Sequence, residues 1–183
     1  YGAHINDAGL CAGCHTLVTE TADLNGNATG DHFVEQATYH EWLNSVFNPA
    51  VDPEGGVSCQ GCHMPRIYDP MVISALYDFL AADEYRRTPY GKHELVGGNT
   101  FMLNLLKNNN AALLLSASSV QFDSTIARTT RMLQNRTLLL ETSVTERTLD
   151  SAFIDVKLTN LAGHKFPSGY PARRAFVELV VEN

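Results

Sequence analysis

Cys11-Ala12-Gly13-Cys14-His15 and Cys59-Gln60-Gly61-Cys62-His63 are two copies of one five-residue pattern, and together they use all four cysteines of the 183-residue chain. Two cysteines three apart can form thioethers with the two vinyl groups of a haem, and the histidine that follows turns up to ligate the iron. Paired C-x-x-C is also the spacing of a zinc knuckle or a thioredoxin-like redox pair. A zinc site does not require a histidine directly after the second cysteine, and here it follows both times. The motifs therefore predict two covalently attached c-type haems. Cys11, Cys14, Cys59 and Cys62 are their anchors, and His15 and His63 their proximal ligands.

Composition excludes other classes of partner. The formal charge is −7, from 20 acidic and 13 basic residues, and two haems would add four propionates, which argues against nucleic acid or an anionic membrane surface. No run of about 18 apolar residues exists to cross a bilayer. The chain starts at Tyr1 without initiator Met, basic n-region or apolar h-region, as a processed secreted chain would. With the prokaryotic maturation of c-type cytochromes outside the cytoplasmic membrane, this leads us to expect a periplasmic or extracellular protein. Partners would be other redox proteins or further haem modules.

Around the motifs, residues 1–70 carry little regular pattern, and Asn25 to Gly30 is a loop by composition. Glu35 to Phe47 reads as a helix with Trp42 on its apolar side, ended by Pro49. A short apolar helix is expected over Met71 to Leu80, then a connector with Arg86, Arg87 and Pro89. His93-Glu94-Leu95-Val96-Gly97-Gly98-Asn99 follows, its glycines suited to close backbone approach. Phe101 to Leu115 reads as a helix interrupted by asparagines 108 to 110. Another starts at Ser118 or Ser119 and runs to about Asn135, with Val120, Ile126, Thr130 and Leu133 inward. After Arg136 the period becomes two, predicting strands over 137–148 and 151–160 and a third over Phe176 to Val181. The expected class is α+β: a haem-packed, loop-rich helical region, 1–136, then an antiparallel β segment, 137–183. Three strands make a thin sheet with an open edge, so we expect a further segment or a neighbouring chain to complete it. Between the second and third strands, residues 159–174 form a loop stiffened by Pro167 and Pro171 that presents His164 at a fixed place and could clamp a ligand.

Three stretches resemble a family of multihaem c-type cytochromes that carry a haem-binding helical region followed by a β-sandwich-like segment. They are Glu35-Gln36-Ala37-Thr38-Tyr39-His40-Glu41-Trp42 ahead of the Cys59 motif with Met64-Pro65 after it, the His93-x-x-Val96-Gly97-Gly98-Asn99 stretch, and Gly163-His164-x-Phe166-Pro167-Ser168-Gly169-Tyr170-Pro171. Relatives carry more haem sites in longer chains. The resemblance implies bis-histidine ligation. Of seven histidines, two are proximal by motif. His93 and His164, in the family-like stretches, rank first as distal ligands and His4 third. His32 and His40 read as packing or surface residues. Met64 follows a proximal histidine and cannot reach the opposite face of its own haem; Met71, Met102 and Met132 read as core. Iron with two strong protein ligands passes electrons and holds no substrate. Electron transfer, not enzymatic catalysis, is the expected function. The alternatives are a subunit of an extended extracellular filament with ligation between subunits, and a reductase with one open haem.

Overall fold

The computed structural model describes residues 2–72 and 86–182. Each haem-type motif begins on a helical turn. A 3-10 turn, Ala3–Asn6, leads into α1, Gly9–Ala12, and the first motif continues as a turn in which the His15 N–H donates to Cys11 O at 3.0 Å. The second motif is itself a helix, α3, Cys59–His63. Between them lie an antiparallel hairpin, β1 (Leu17–Ala22) and β2 (Ala28–Gln36), and the short α2, Thr38–Leu43. The hairpin turns where Asp23 Oδ1 accepts from the N–H groups of Asn25 and Asn27 at 2.8 and 2.9 Å and Gly26 takes φ +84, a conformation that favours glycine.

Beyond α3 come four two-residue strands. β3 (Arg66–Ile67) pairs with β6 (Tyr90–Gly91), and β4 (Met71–Val72) pairs with β5 (Arg86–Arg87). Met71 and Val72 are thus extended where a helix was expected; the rest of that expected helix lies outside the described residues. Two helices follow, α4 (Thr100–Asn108) and α5 (Ser119–Arg136), bridged by Lys107 and Asp123 at 2.5 Å. α4 ends before the expected Leu115 because asparagine side chains compete for main-chain acceptors. Asn109 Nδ2 donates to Leu105 O at 2.8 Å, and Asn110 Nδ2 reaches Ala117 O.

α5 has the start its sequence predicts. Ser118 Oγ accepts from the Gln121 N–H at 3.3 Å while Gln121 Oε1 accepts from the Ser118 N–H at 2.7 Å, a reciprocal capping box. Ser118→Ala should cost about 1 kcal/mol, lowering the melting temperature by about 2–4 °C. Calorimetry checks this. The inward stripe of α5 differs from the expected one. Phe122 and Thr129 are buried while Val120 is 76% exposed, because the helix rotates its 122/126/129/133 row toward α4 and its preceding loop.

The two predicted strands after α5 form as β7 (Leu138–Arg147) and β8 (Ala152–Asn160), antiparallel from Leu138↔Asn160 to Arg147↔Ala152, with one register shift between Val144 and Glu146. The third expected strand does not form. Residues 176–181 pair with no ladder, and Phe176 and Val181 are 86% and 74% exposed. Their β propensity reflects fit to a pleated neighbour, which the described residues do not offer them. The architecture is mixed α+β, with helices and small antiparallel ladders.

Burial is sparse. A 20.1 kDa chain folded around its own core exposes about 8,700 Å², whereas this one exposes 13776 Å². Among the described residues the buried apolar side chains are Ala8, Trp42, Val96 and Phe122. Ala8 precedes the first motif, Trp42 lies on α2, and Val96 touches His63. Three of these four thus lie near the two C-x-x-C-H turns, while Phe122 lies on α5.

Candidate functional site

The two motifs are held side by side. Gln60, buried at 5% exposure inside the second motif, donates from Nε2 to Ile5 O at 3.0 Å and Asp7 O at 2.7 Å, just ahead of the first. Arg66 adds a bond from Nη2 to Asn6 Oδ1 at 3.1 Å. This proximity reaches the thiols. Burial, and then the neighbouring Cys11 thiol, push Cys59 up to about 11, and burial also raises Cys62 despite the opposing pull of Arg136. Cys59 and Cys62 are therefore neutral thiols at pH 7, while Cys14 is exposed.

His63 is fixed from below by the Val96-Gly97-Gly98 stretch. Its ring Nδ1 lies 2.7 Å from Val96 O, and its own carbonyl accepts from the Leu95 N–H at 3.0 Å. A carbonyl accepts only, so Nδ1 carries the proton and Nε2 is left as the free donor, the tautomer a metal requires. Burial lowers its pKa below 6.5, the Val96 carbonyl opposes this, and the positive forms of His164 and His15 add to the lowering. The ring is neutral at pH 7 and available for ligation.

Across from it stands His164. The two ring centres are 6.3 Å apart and their planes differ by 13°. His164 Nδ1 lies 2.9 Å from Lys165 O, so its Nε2 is free as well. His63 and His164 would be the residues to hold a metal between them, each through a ring nitrogen about 2 Å from it.

The loop bearing His164 is docked onto α2. Glu41 Oε2 accepts from the Lys165 N–H at 3.0 Å and from Ser168 Oγ at 2.9 Å, and Thr38 Oγ1 meets Ser168 Oγ at 2.8 Å. Gly163 runs so close to α2 that a β-carbon there would lie 3.1 Å from Trp42 Cδ1 and 3.6 Å from Phe47 Cβ. Trp42 in turn donates its indole N–H to Val57 O at 3.0 Å, just before the second motif. Tyr170 packs edge-on to Phe33 of β2 at 6.1 Å, and Asn160 Nδ2 holds His164 O at 2.8 Å. The expected anchoring between two strands is thus replaced on the downstream side by α2 and β2. Glu41→Ala removes an acceptor shared by the exposed Lys165 N–H and by Ser168 Oγ, which keeps Thr38 as a partner, at about 0.5–1.5 kcal/mol for each bond lost. We expect a lower melting temperature by calorimetry, with a smaller drop in Glu41→Gln, which keeps one acceptor.

The other expected ligands lie elsewhere. His93 is exposed, with its ring edge-on to Tyr90 at 6.3 Å, and its stretch reaches the site through the Val96 main chain instead. His4 is exposed in the N-terminal 3-10 turn, and His15 is exposed beside α2, its carbonyl accepting from the Tyr39 N–H at 3.3 Å. His32 and His40 are exposed on β2 and α2. Glu41 and Val96 were not singled out as functional residues by sequence; only their membership of the two motif-like stretches signalled them. Among the described residues, no three His, Cys, Asp or Glu side chains converge to cage a bare ion. No family model, curated protein or solved structure matches this chain.

Proposed function

We propose that the chain is a dihaem c-type cytochrome, or a dihaem module of a larger one, that passes single electrons between closely spaced haems. The observation that carries the reading is the facing pair His63 and His164, 6.3 Å apart and nearly parallel, each with Nδ1 tied to a main-chain carbonyl. A haem supplies a one-electron Fe(III)/Fe(II) couple, with a potential kept low by two imidazoles. The chain's own residues do the rest. Cys59 and Cys62 tether the macrocycle, Val96 and Lys165 orient the two ligands, and Glu41 holds the distal loop in place. If His63 and His164 both held that iron, it would offer no site to substrate, which favours electron transfer over reduction chemistry. The contacts of Gln60 and Arg66 keep the second, Cys11/Cys14/His15 site next to the first, and electron exchange requires such closeness. Haem packing also accounts for the sparse protein core.

Intact-mass measurement with a pyridine haemochromogen spectrum tests this: the chain should carry two covalent haem masses. A chain that matures without added mass, or with zinc, would sink the reading. The large exposed apolar area, including residues 176–181 and the open edges of β7 and β8, favours a second reading in which a neighbouring segment or subunit completes a sandwich-like sheet, as in a filament. Particle size under the electron microscope separates the two.

A further inference from the structure

The β7–β8 hairpin has two unlike faces. Leu140, Val144, Val156 and Leu158 share one and are all exposed, while Glu141, Ser143, Asp155 and Lys157 share the other, where Lys157 Nζ lies 2.9 Å from Glu141 Oε2. Among the described residues β8 pairs with β7 alone, so its outer edge is open. The Leu161 N–H donates to Thr137 O at 3.0 Å, which continues the register Leu138↔Asn160. Successive residues of an antiparallel strand bond to opposite sides. The main-chain groups of Asp155, Lys157 and Thr159 therefore face β7, and those of Ile154, Val156 and Leu158 face the open edge.

Residues 176–181 contain no proline, alternate Val177, Leu179 and Val181 with Glu178, and join no ladder. Laid antiparallel on the β8 edge with Glu178 opposite Lys157, this segment sets Val177 against Leu158, Leu179 against Val156 and Val181 against Ile154. Those three β8 residues are the ones whose main chain faces outward, and the new apolar side chains fall on the hairpin's apolar face. Glu178 and Lys157 then form a non-hydrogen-bonded pair, in which side chains approach most closely. From Leu138 to Glu146, β7 has no cation to meet Glu178 and presents Glu141 instead, so charge selects β8.

The chain's own segment does not take that edge. The loop leading to it is tied elsewhere: Ser168 to Glu41 and Thr38, Tyr170 to Phe33 of β2, and Arg173 Nη1 to Ser168 O at 3.2 Å. Resting on the subunit reading above and independent of haem, we propose that residues 176–181 of one chain add as a third strand to the β8 edge of a second copy. Main-chain bonds along the edge supply affinity, and the Glu178–Lys157 pair fixes the register. Donor segment and acceptor edge are different surfaces of the same chain, so the contact is heterologous. Each added copy brings a new open edge, and assembly continues into rings or filaments.

Two proline variants of the whole chain test this. Leu179→Pro removes an N–H from the donor segment, and Val156→Pro removes one from the open edge without touching a β7 bond, the position at which an edge strand tolerates proline. By size exclusion with light scattering, wild type should run as multiples of the chain mass and each variant as a single chain. Mixed in equal amounts, the two variants should form a dimer and nothing larger, because one supplies only a donor and the other only an edge. If Val156→Pro does not fold, Glu178→Lys, in the unpaired segment, should come apart at concentrations where wild type stays assembled. A monomeric wild type overturns both the strand addition and the subunit reading. Assembly that survives in both single variants, or a mixture that stays monomeric, overturns the strand addition and leaves the subunit reading to another surface. Covalent haem mass is read separately and should be the same in every variant.

Discussion

In the dihaem protein proposed above, His164→Ala should convert one haem from six-coordinate low spin to high spin or water-ligated iron, so that about half of the total haem becomes competent to bind carbon monoxide or cyanide. The expectation follows from the placement of the His164 ring, whose centre lies 6.3 Å from that of His63 with planes within 13°. A loss of the His164 imidazole cannot be made good locally: Lys165 and Ser168 are held on Glu41, and Gly163 is lodged against Trp42. The potential of that haem should rise, since one strong donor to the ferric iron is gone. The β7–β8 hairpin should also become easier to dislodge, because the loop's bond to the haem region is lost and the contacts of Glu41, Tyr170 and Asn160 are what remain. Resonance Raman or EPR decides. Two unchanged low-spin haems would reduce His164 to a loop residue and move the distal role to His93 or His4, both of them exposed here. His93→Ala serves as the comparison, with this haem expected to stay low spin, because the stretch supports His63 through the Val96 carbonyl and not through the His93 ring.

Cys59→Ala/Cys62→Ala should halve the covalent haem content and change the unfolding transition from sharp to gradual. The physical reason is the surface. The chain exposes about 1.6 times the area expected of a monomer its size, 13776 Å², and the described apolar core consists of four side chains that border the motifs or α5. Nothing in that inventory replaces the burial that the proposed macrocycle would provide beside His63 and His164. Ligands that bind only the folded state add their binding free energy to stability, and a tethered haem does so at very high effective concentration. Cys14→Ala should weaken attachment of the other haem alone. Thermal scans of loaded and haem-free protein check the claim, and a sharp, cooperative melt in haem-free chain would count against it.

Much of the site could be read without coordinates because it is local. The Cys-x-x-Cys-His turns need only adjacent residues, and the structure places both on helical turns. Capping is local too: Ser118 and Gln121 are three residues apart, and α5 begins where they predict. The period-two alternation from Leu138 to Asn160 sufficed for β7 and β8, since the two strands are joined by a four-residue turn closed by Thr148 and Ser151. The loop His164 was also found by its glycines and prolines, which restrict a chain wherever it folds.

What tertiary structure alone decided is non-local. The β1–β2 hairpin went unread because nearly all of it is exposed on both faces, so apolar alternation is weak, and its order comes from the ladder and from Thr19 bonding Glu35 at 2.7 Å. Residues 176–181 have strand-like chemistry but no partner, since a strand exists only as half of a pair. His93 ranked with His164 in sequence because residue type tells which groups can ligate, while the direction of a main-chain carbonyl, here that of Val96 toward His63, depends on how β3 and β6 bring the chain back. Glu41 and Lys165 are 124 residues apart, and only the folded chain makes one hold the other. Residue types set the chemistry available to this protein; which imidazole faces which, and which carboxylate fixes the loop between them, is determined by the packing of segments far apart in sequence.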